Sequence, residues 1–89
     1  MHFEWNSEKA ARNLRKHRVS LDEAVTVFHD PLAATFEDPD HSASESRFIT
    51  VGHSSKERLL VVVHVERGTT LRIISARLAS VTERKRHET

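Results

Sequence analysis

The clearest periodic signal in the chain lies at Leu21, Ala24, Val25 and Phe28, the i, i+3, i+4, i+7 spacing of one helical face. Ser20 and Glu23 form a Ser-x-x-Glu capping box that starts this helix, and Pro31 closes it. A first helix is predicted before it. Asn6 serves as its N-cap, Glu8 sits in the first turn near the positive end of the dipole, and Trp5 faces Ala10 in staple geometry. Ala10, Ala11 and Leu14 make its narrow apolar face, and it should end near His17 or Arg18. Three β-rich runs follow, "RFITVGH", "RLLVVVHVE" and "TLRIISAR", joined by the short connections "SSKE" and "RGT". Such connections favour an antiparallel meander. In the middle run, Val61, Val63 and Val65 point one way, and this set is expected to pack on the helices. Leu60, Val62, His64 and Glu66 point the other way.

The segment from Pro31 to Ser46 holds both prolines and an acidic run, with "LAATF" as a possible short strand inside a loop. A second Ser-x-x-Glu box, Ser80 and Glu83, opens a last helix. After Val81 that helix has no apolar residue, so it is marginal in water unless something docks on it. The pattern therefore predicts an α+β fold: two N-terminal helices, a three- to four-stranded antiparallel sheet and a short C-terminal helix.

Composition narrows the function classes. At 89 residues the length predicts one domain over residues 1–89. The chain contains no cysteine, which excludes disulfides, thiolate metal sites and a thiol nucleophile. No apolar window reaches the roughly 18 residues of a membrane span, so a soluble, cytoplasmic protein is expected. The net charge of +1 hides an uneven distribution: residues 47–89 carry nine basic and four acidic side chains, whereas 31–46 carry four acids and no base. A basic C-terminal half suits an anionic partner such as nucleic acid. With two glycines there is no Gly-rich phosphate loop, and the seven histidines show no His-x-His or His-x-x-x-His spacing, so no metal site is expected.

Candidate chemistry gathers on the last strand. Arg77 lies three residues before the N-cap Ser80, where a guanidinium and a helix N-terminus together suit a phosphate. Strict alternation puts Arg72 and Arg77 on opposite faces, so both serve one site only if the strand bends, bulges or ends early. His64, within a β-run and on the face of Glu66, is a candidate for proton transfer near neutral pH.

The ordered blocks "FEW", "KAARNLRKHRVSLDEA", "ESRFITVG" and "LRIISARLASVTER" resemble the BrnT family of type II toxins over nearly the whole chain. The resemblance implies a RelE-like ribonuclease fold and an endoribonuclease that cuts RNA without a metal or other cofactor and so halts translation. It also implies neutralisation by a BrnA-like antitoxin, in a two-plus-two complex that reaches operator DNA only through the antitoxin. Such cleavage uses the RNA 2′-hydroxyl as nucleophile, and the protein supplies a proton acceptor, positive charge for the phosphorane and a donor to the leaving oxygen.

Carried onto this sequence, the family pattern falls on Glu45 and Arg47, on Arg72, Ser75 and Arg77, and on Glu83 and Arg84; Arg72 and Arg77 are expected on the phosphate, with Glu45 or the His64 singled out above for proton transfer. Arg47, Ser75 and Arg84 are the further implied RNA contacts, and Lys56 and Arg58, on the hairpin connection, are expected on flanking phosphates. The chain departs from the family pattern at Asn6 and Ser7, at Arg18 where a glycine is common, at Leu78 where a lysine is common, and at His87 where a tyrosine is common. The alternative reading is a non-catalytic module that binds RNA or protein through its basic half, a degenerate toxin that retains its antitoxin interface.

Overall fold

The computed structural model describes residues 1–40 and 46–88. Five strands form one sheet in the order β1-β5-β4-β3-β2, where β1 is His2–Glu4, β2 Ala34–Glu37, β3 Arg47–His53, β4 Leu59–Arg67 and β5 Thr70–Leu78. Strands β2 to β5 pair antiparallel, as the short connections require, but β1 lies parallel to β5 at the edge. This edge strand was not expected. Its three residues show no period of their own, and the element exists because Phe3 pairs with Leu71 and Glu4 with Arg72.

Helices α1 (Ser7–His17) and α2 (Leu21–Thr26) cover one face of the sheet. Asn6 caps α1 by accepting from Glu8 N and Lys9 N at 2.9 and 3.1 Å. Arg18 ends it in the left-handed region at φ 59°, with its N–H donating to Leu14 O, so the chain places a β-carbon where glycine is less strained. The inward face of α1 is only partly the expected one: Ala10 packs against the core, but Leu14 is exposed and Asn13 is buried in its place. Its amide donates to Val19 O and Ala76 O at 2.9 and 2.8 Å and accepts from Ala76 N at 3.1 Å. Asn13 thereby acts as a one-residue strand on β5 beyond the end of β1, satisfying edge groups that would otherwise be buried unpaired.

The face assignment of the middle strand is also reversed. Leu60 and Val62 join Val19, Leu21, Ala24, Val27, Leu71, Ile73 and Ala76 in the main core, while Val61 packs on the opposite face with Val51 and Leu59. β4 is apolar on both faces, so alternation alone could not say which side the helices would take.

The register supplies what the two arginines needed. Val63 pairs with Ser75 but His64 pairs with Ile73, which makes Ile74 the extra residue of a β-bulge. Arg72 then stands opposite Val65 and Arg77 opposite Val61, on the same face of the sheet.

Candidate functional site

On the face away from α1 and α2, a cleft of about 460 Å3 runs between the sheet and α3 (Val81–Glu88). Its floor is apolar: Phe36 from the edge strand β2, Ile49 and Val51 from β3, and Val61 from β4. Its rim is ionic, with Arg77 from β5 and Glu83, Arg86 and His87 from α3. Phe36 is half exposed, and Leu32 beside it more so.

Arg77 does not wait open for an anion. Its Nη1 and Nη2 donate to the two carboxylate oxygens of Glu83 at 2.7 and 2.8 Å, and Nη1 also reaches Leu78 O at 3.3 Å. The same Glu83 carboxylate accepts from Ser80 N at 2.8 Å while Ser80 Oγ accepts from Glu83 N at 3.2 Å, a complete capping box. The Arg77 hydrogen bonds, reinforced by Ser80 N–H, hold the Glu83 carboxyl down at about 2. Helix α3 buries none of its residues, so this charged clasp replaces the apolar contact that its sequence cannot supply.

Arg72 is committed elsewhere, donating to Glu4 Oε1 of β1 at 3.2 Å. The partners of the two arginines, Val61 and Val65, stand four positions apart on β4, about 13 Å along the sheet. The bulge puts Arg72 and Arg77 on one face, but the expectation that they converge on a single phosphate is not met: each is paired with its own carboxylate.

His64 needs a larger correction. Strand alternation points it into the helix-covered core, where it is 1% exposed. Phe28 meets its ring edge-on at 5.0 Å between centroids, and Phe48 stacks on it at 6.0 Å. Burial pushes the imidazole down to about 4, so it is neutral at physiological pH. Its Nε2 lies 2.7 Å from Thr50 Oγ1, which in turn lies 2.7 Å from Thr35 Oγ1, a polar ladder across β2, β3 and β4. His64 is a structural histidine with no access to RNA.

The expected RNA contacts scatter. Arg58 is half-buried and bound to Glu23: Nε donates at 2.9 Å, Nη2 makes a short contact to the other oxygen, and Nη2 also donates to Arg18 O at 3.1 Å. Glu23 is 4% exposed and also accepts from Ser54 Oγ at 2.7 Å. Arg58, followed by Ser54 and Lys56, holds its carboxyl below the usual range against the opposing effect of burial. The Ser20 cap accepts from Glu23 N at 3.0 Å, but the Glu23 carboxylate is thus diverted into this tie between α2 and the β3–β4 turn. Arg58 therefore serves as a clamp between α2 and the β3–β4 turn. Arg47 pairs with Asp38 at 3.3 Å. Lys56 is exposed on the β3–β4 turn, Arg84 is exposed on α3, and Ser75 lines a shallow basic hollow beside Lys16 and His17. Glu45 lies outside the described residues.

One cluster escaped sequence reasoning. Asp30, His53 and His87 offer ligand-type atoms that all lie within 4.8 Å of one another. They come from the turn after α2, the end of β3 and the end of α3, so no local spacing announces them. The Asp30 carboxylate accepts from His53 N at 2.7 Å and Leu32 N at 3.0 Å, and these bonds hold its carboxyl below the usual range. Gly52 makes the approach possible, since a β-carbon there would lie 2.8 Å from Ala33 Cβ and 3.2 Å from Asp30 Oδ2.

The family model described as "Ribonuclease toxin, BrnT, of type II toxin-antitoxin system" matches residues 5–83. The chain belongs to this family of ribonuclease toxins, and membership implies an antitoxin partner. A similar solved structure is the crystal structure of the Brucella abortus ribonuclease toxin BrnT, with a TM-score of 0.71 and 22% identity over 90% of this chain and 97% of that one. That likeness establishes the shared α+β fold. No curated protein sequence matches the chain. Among the described residues, no helix is long and apolar enough to cross a membrane.

Proposed function

We propose that the chain is an endoribonuclease toxin that takes single-stranded RNA into the cleft between β2–β4 and α3. The observation that carries this reading is the pairing of a half-exposed aromatic on an apolar floor, Phe36, with a cationic rim from Arg77 and Arg86. Bases stack on such a surface while guanidinium groups hold the phosphates, a combination that tolerates many sequences. Arg77 uses three of its donor hydrogens on Glu83 and Leu78 O. A guanidinium carries five, so two remain for a phosphate oxygen.

With His64 buried in the core, Glu45 of the "ESR" block is our candidate for the acceptor that activates the 2′-hydroxyl. Arg72 is assigned to a flanking phosphate, together with Arg47, Lys56, Ser75 and Arg84. Cleavage by this route needs no metal, stops translation by destroying RNA in the cytoplasm, and is held in check by a BrnA-like antitoxin. Two toxins and two antitoxins make the complex, and operator DNA is touched by the antitoxin alone.

The second reading, a module that binds RNA without cutting it, is favoured by the Arg77–Glu83 clasp, which spends catalytic charge on structure. One assay separates the two. Single-stranded RNA incubated with the purified chain in EDTA is cut by the parent, less by Phe36→Ala and Arg77→Ala, and not by Glu45→Gln, if the first reading holds. Retention of intact RNA by the parent would establish the second.

A further inference from the structure

We propose that Asp30, His53 and His87 bind one divalent transition-metal ion, with zinc the best match. This goes beyond the ribonuclease reading and does not rest on it. Two imidazole nitrogens and one carboxylate oxygen are a borderline-soft donor set, suited to zinc or cobalt and unsuited to magnesium or calcium, which take oxygen ligands. The geometry is close to what such an ion requires. Ligand bonds of about 2.0–2.2 Å in a tetrahedron put donor atoms roughly 3.4 Å apart. His53 Nδ1 already stands 3.6 Å from Asp30 Oδ2, and the remaining edges lie within 4.8 Å. Closing them calls for a small movement of His87.

That movement is available. α3 buries no residue and is held by the Arg77–Glu83 clasp near its first turn, while His87 sits near its far end. The other two ligands are set in place beforehand. Two backbone N–H groups orient the Asp30 carboxylate, each leaving a lone pair on its oxygen, and the Gly52 backbone lets that carboxylate sit close beneath His53. Backbone donors of this kind act as the outer partners that metal-binding carboxylates ordinarily have.

His53 is two-fifths exposed, so solvent and ions reach the site. Three protein ligands leave a fourth position for water or an anion. Occupied, the site pins the C-terminal end of α3 to β3 and to the turn after α2, closing one end of the cleft. The ion would be a fastener for the helix, and RNA chemistry is not routed through it.

The test uses the metal-free whole chain and zinc alone. Calorimetry should show one zinc bound per chain with micromolar or tighter affinity, and cobalt in its place should give the visible absorption of a four- or five-coordinate ion. His53→Ala and His87→Gln should each weaken binding by about tenfold or more, while His17→Gln, on α1, changes nothing. In the unaltered chain, zinc should shift the ring NMR signals of His53 and His87 and leave those of His2 and His17 in place. Absence of micromolar binding, full affinity in both variants, or ring shifts confined to other histidines would each overturn the proposal. Nuclease activity is not read in any of these measurements, so either proposal can fail while the other stands.

Discussion

Acidification should weaken the fold through His64 before it touches any carboxylate. In the unfolded chain this imidazole protonates near its ordinary value of about 6.5, whereas in the folded chain burial against Phe28 and Phe48 delays protonation to about 4. Between those values the unfolded state binds the extra proton, so stability falls as pH falls. The contribution is complete above the unfolded value and lost once pH has dropped through the folded one. Linkage gives a loss of about 2 kcal/mol between pH 7 and pH 5, and about 3 kcal/mol by pH 4. The shifted carboxylates Glu23, Asp30 and Glu83 enter only near pH 4, where their unfolded counterparts begin to protonate.

Urea unfolding at pH 7 and pH 5 is the assay. With a slope of about 1–2 kcal/mol per molar for a domain this small, the midpoint should fall by roughly 1–2 M. His64→Gln, which keeps a partner for Thr50 and cannot take up a proton, should be less stable at pH 7 and show almost no change between the two conditions. A parent whose midpoint is the same at both, or a variant that retains the full slope, would refute the account of His64 as a buried neutral imidazole.

Three further outcomes follow from the clamps. Glu23→Ala leaves the Arg58 guanidinium and Ser54 Oγ without their shared acceptor and should lower the urea midpoint, whereas Glu23→Leu combined with Arg58→Leu should lower it less than Glu23→Ala alone. Asn13→Ala removes three hydrogen bonds and leaves Ala76 N–H and C=O unpaired; a loss of about 2–4 kcal/mol is expected, with a rise in light scattering as the β5 edge opens. Arg77→Ala releases Glu83, so NMR titration should find its carboxyl raised from about 2 towards the ordinary glutamate range, with loss of helical circular dichroism from α3.

Much of the scaffold was legible because it is written in local chemistry. Asn6, Ser20 and the Ser80–Glu83 box mark helix starts through short-range hydrogen bonds, and β-branched runs with tight connections mark the meander. What failed was long-range. β1 depends on a partner 68 positions away, the Glu4–Arg72 pair. Asn13 could be found only by asking what a buried amide on a helix must satisfy, and the polar residue within the "KAARNLRKH" block was the available signal. The site was less legible than the fold. Arginine and histidine types pointed to anion binding and proton transfer, but which carboxylate would claim each guanidinium, and which face β4 would turn inward, are decided by packing of elements far apart in sequence. The Asp30–His53–His87 cluster has no spacing signature for the same reason.

The unpaired residue Ile74 has a consequence for how the family sequence can drift. Every position in β5 beyond it owes its orientation to that one insertion. Excision of a single codon there would rotate the rest of the strand by half a turn, drive the Arg77 guanidinium under α1 and α2, and turn Ala76 out to water. A substitution along this segment leaves the strand's two faces in place, whereas a one-residue deletion would invert the molecule's inside and outside at the place where strand meets terminal helix.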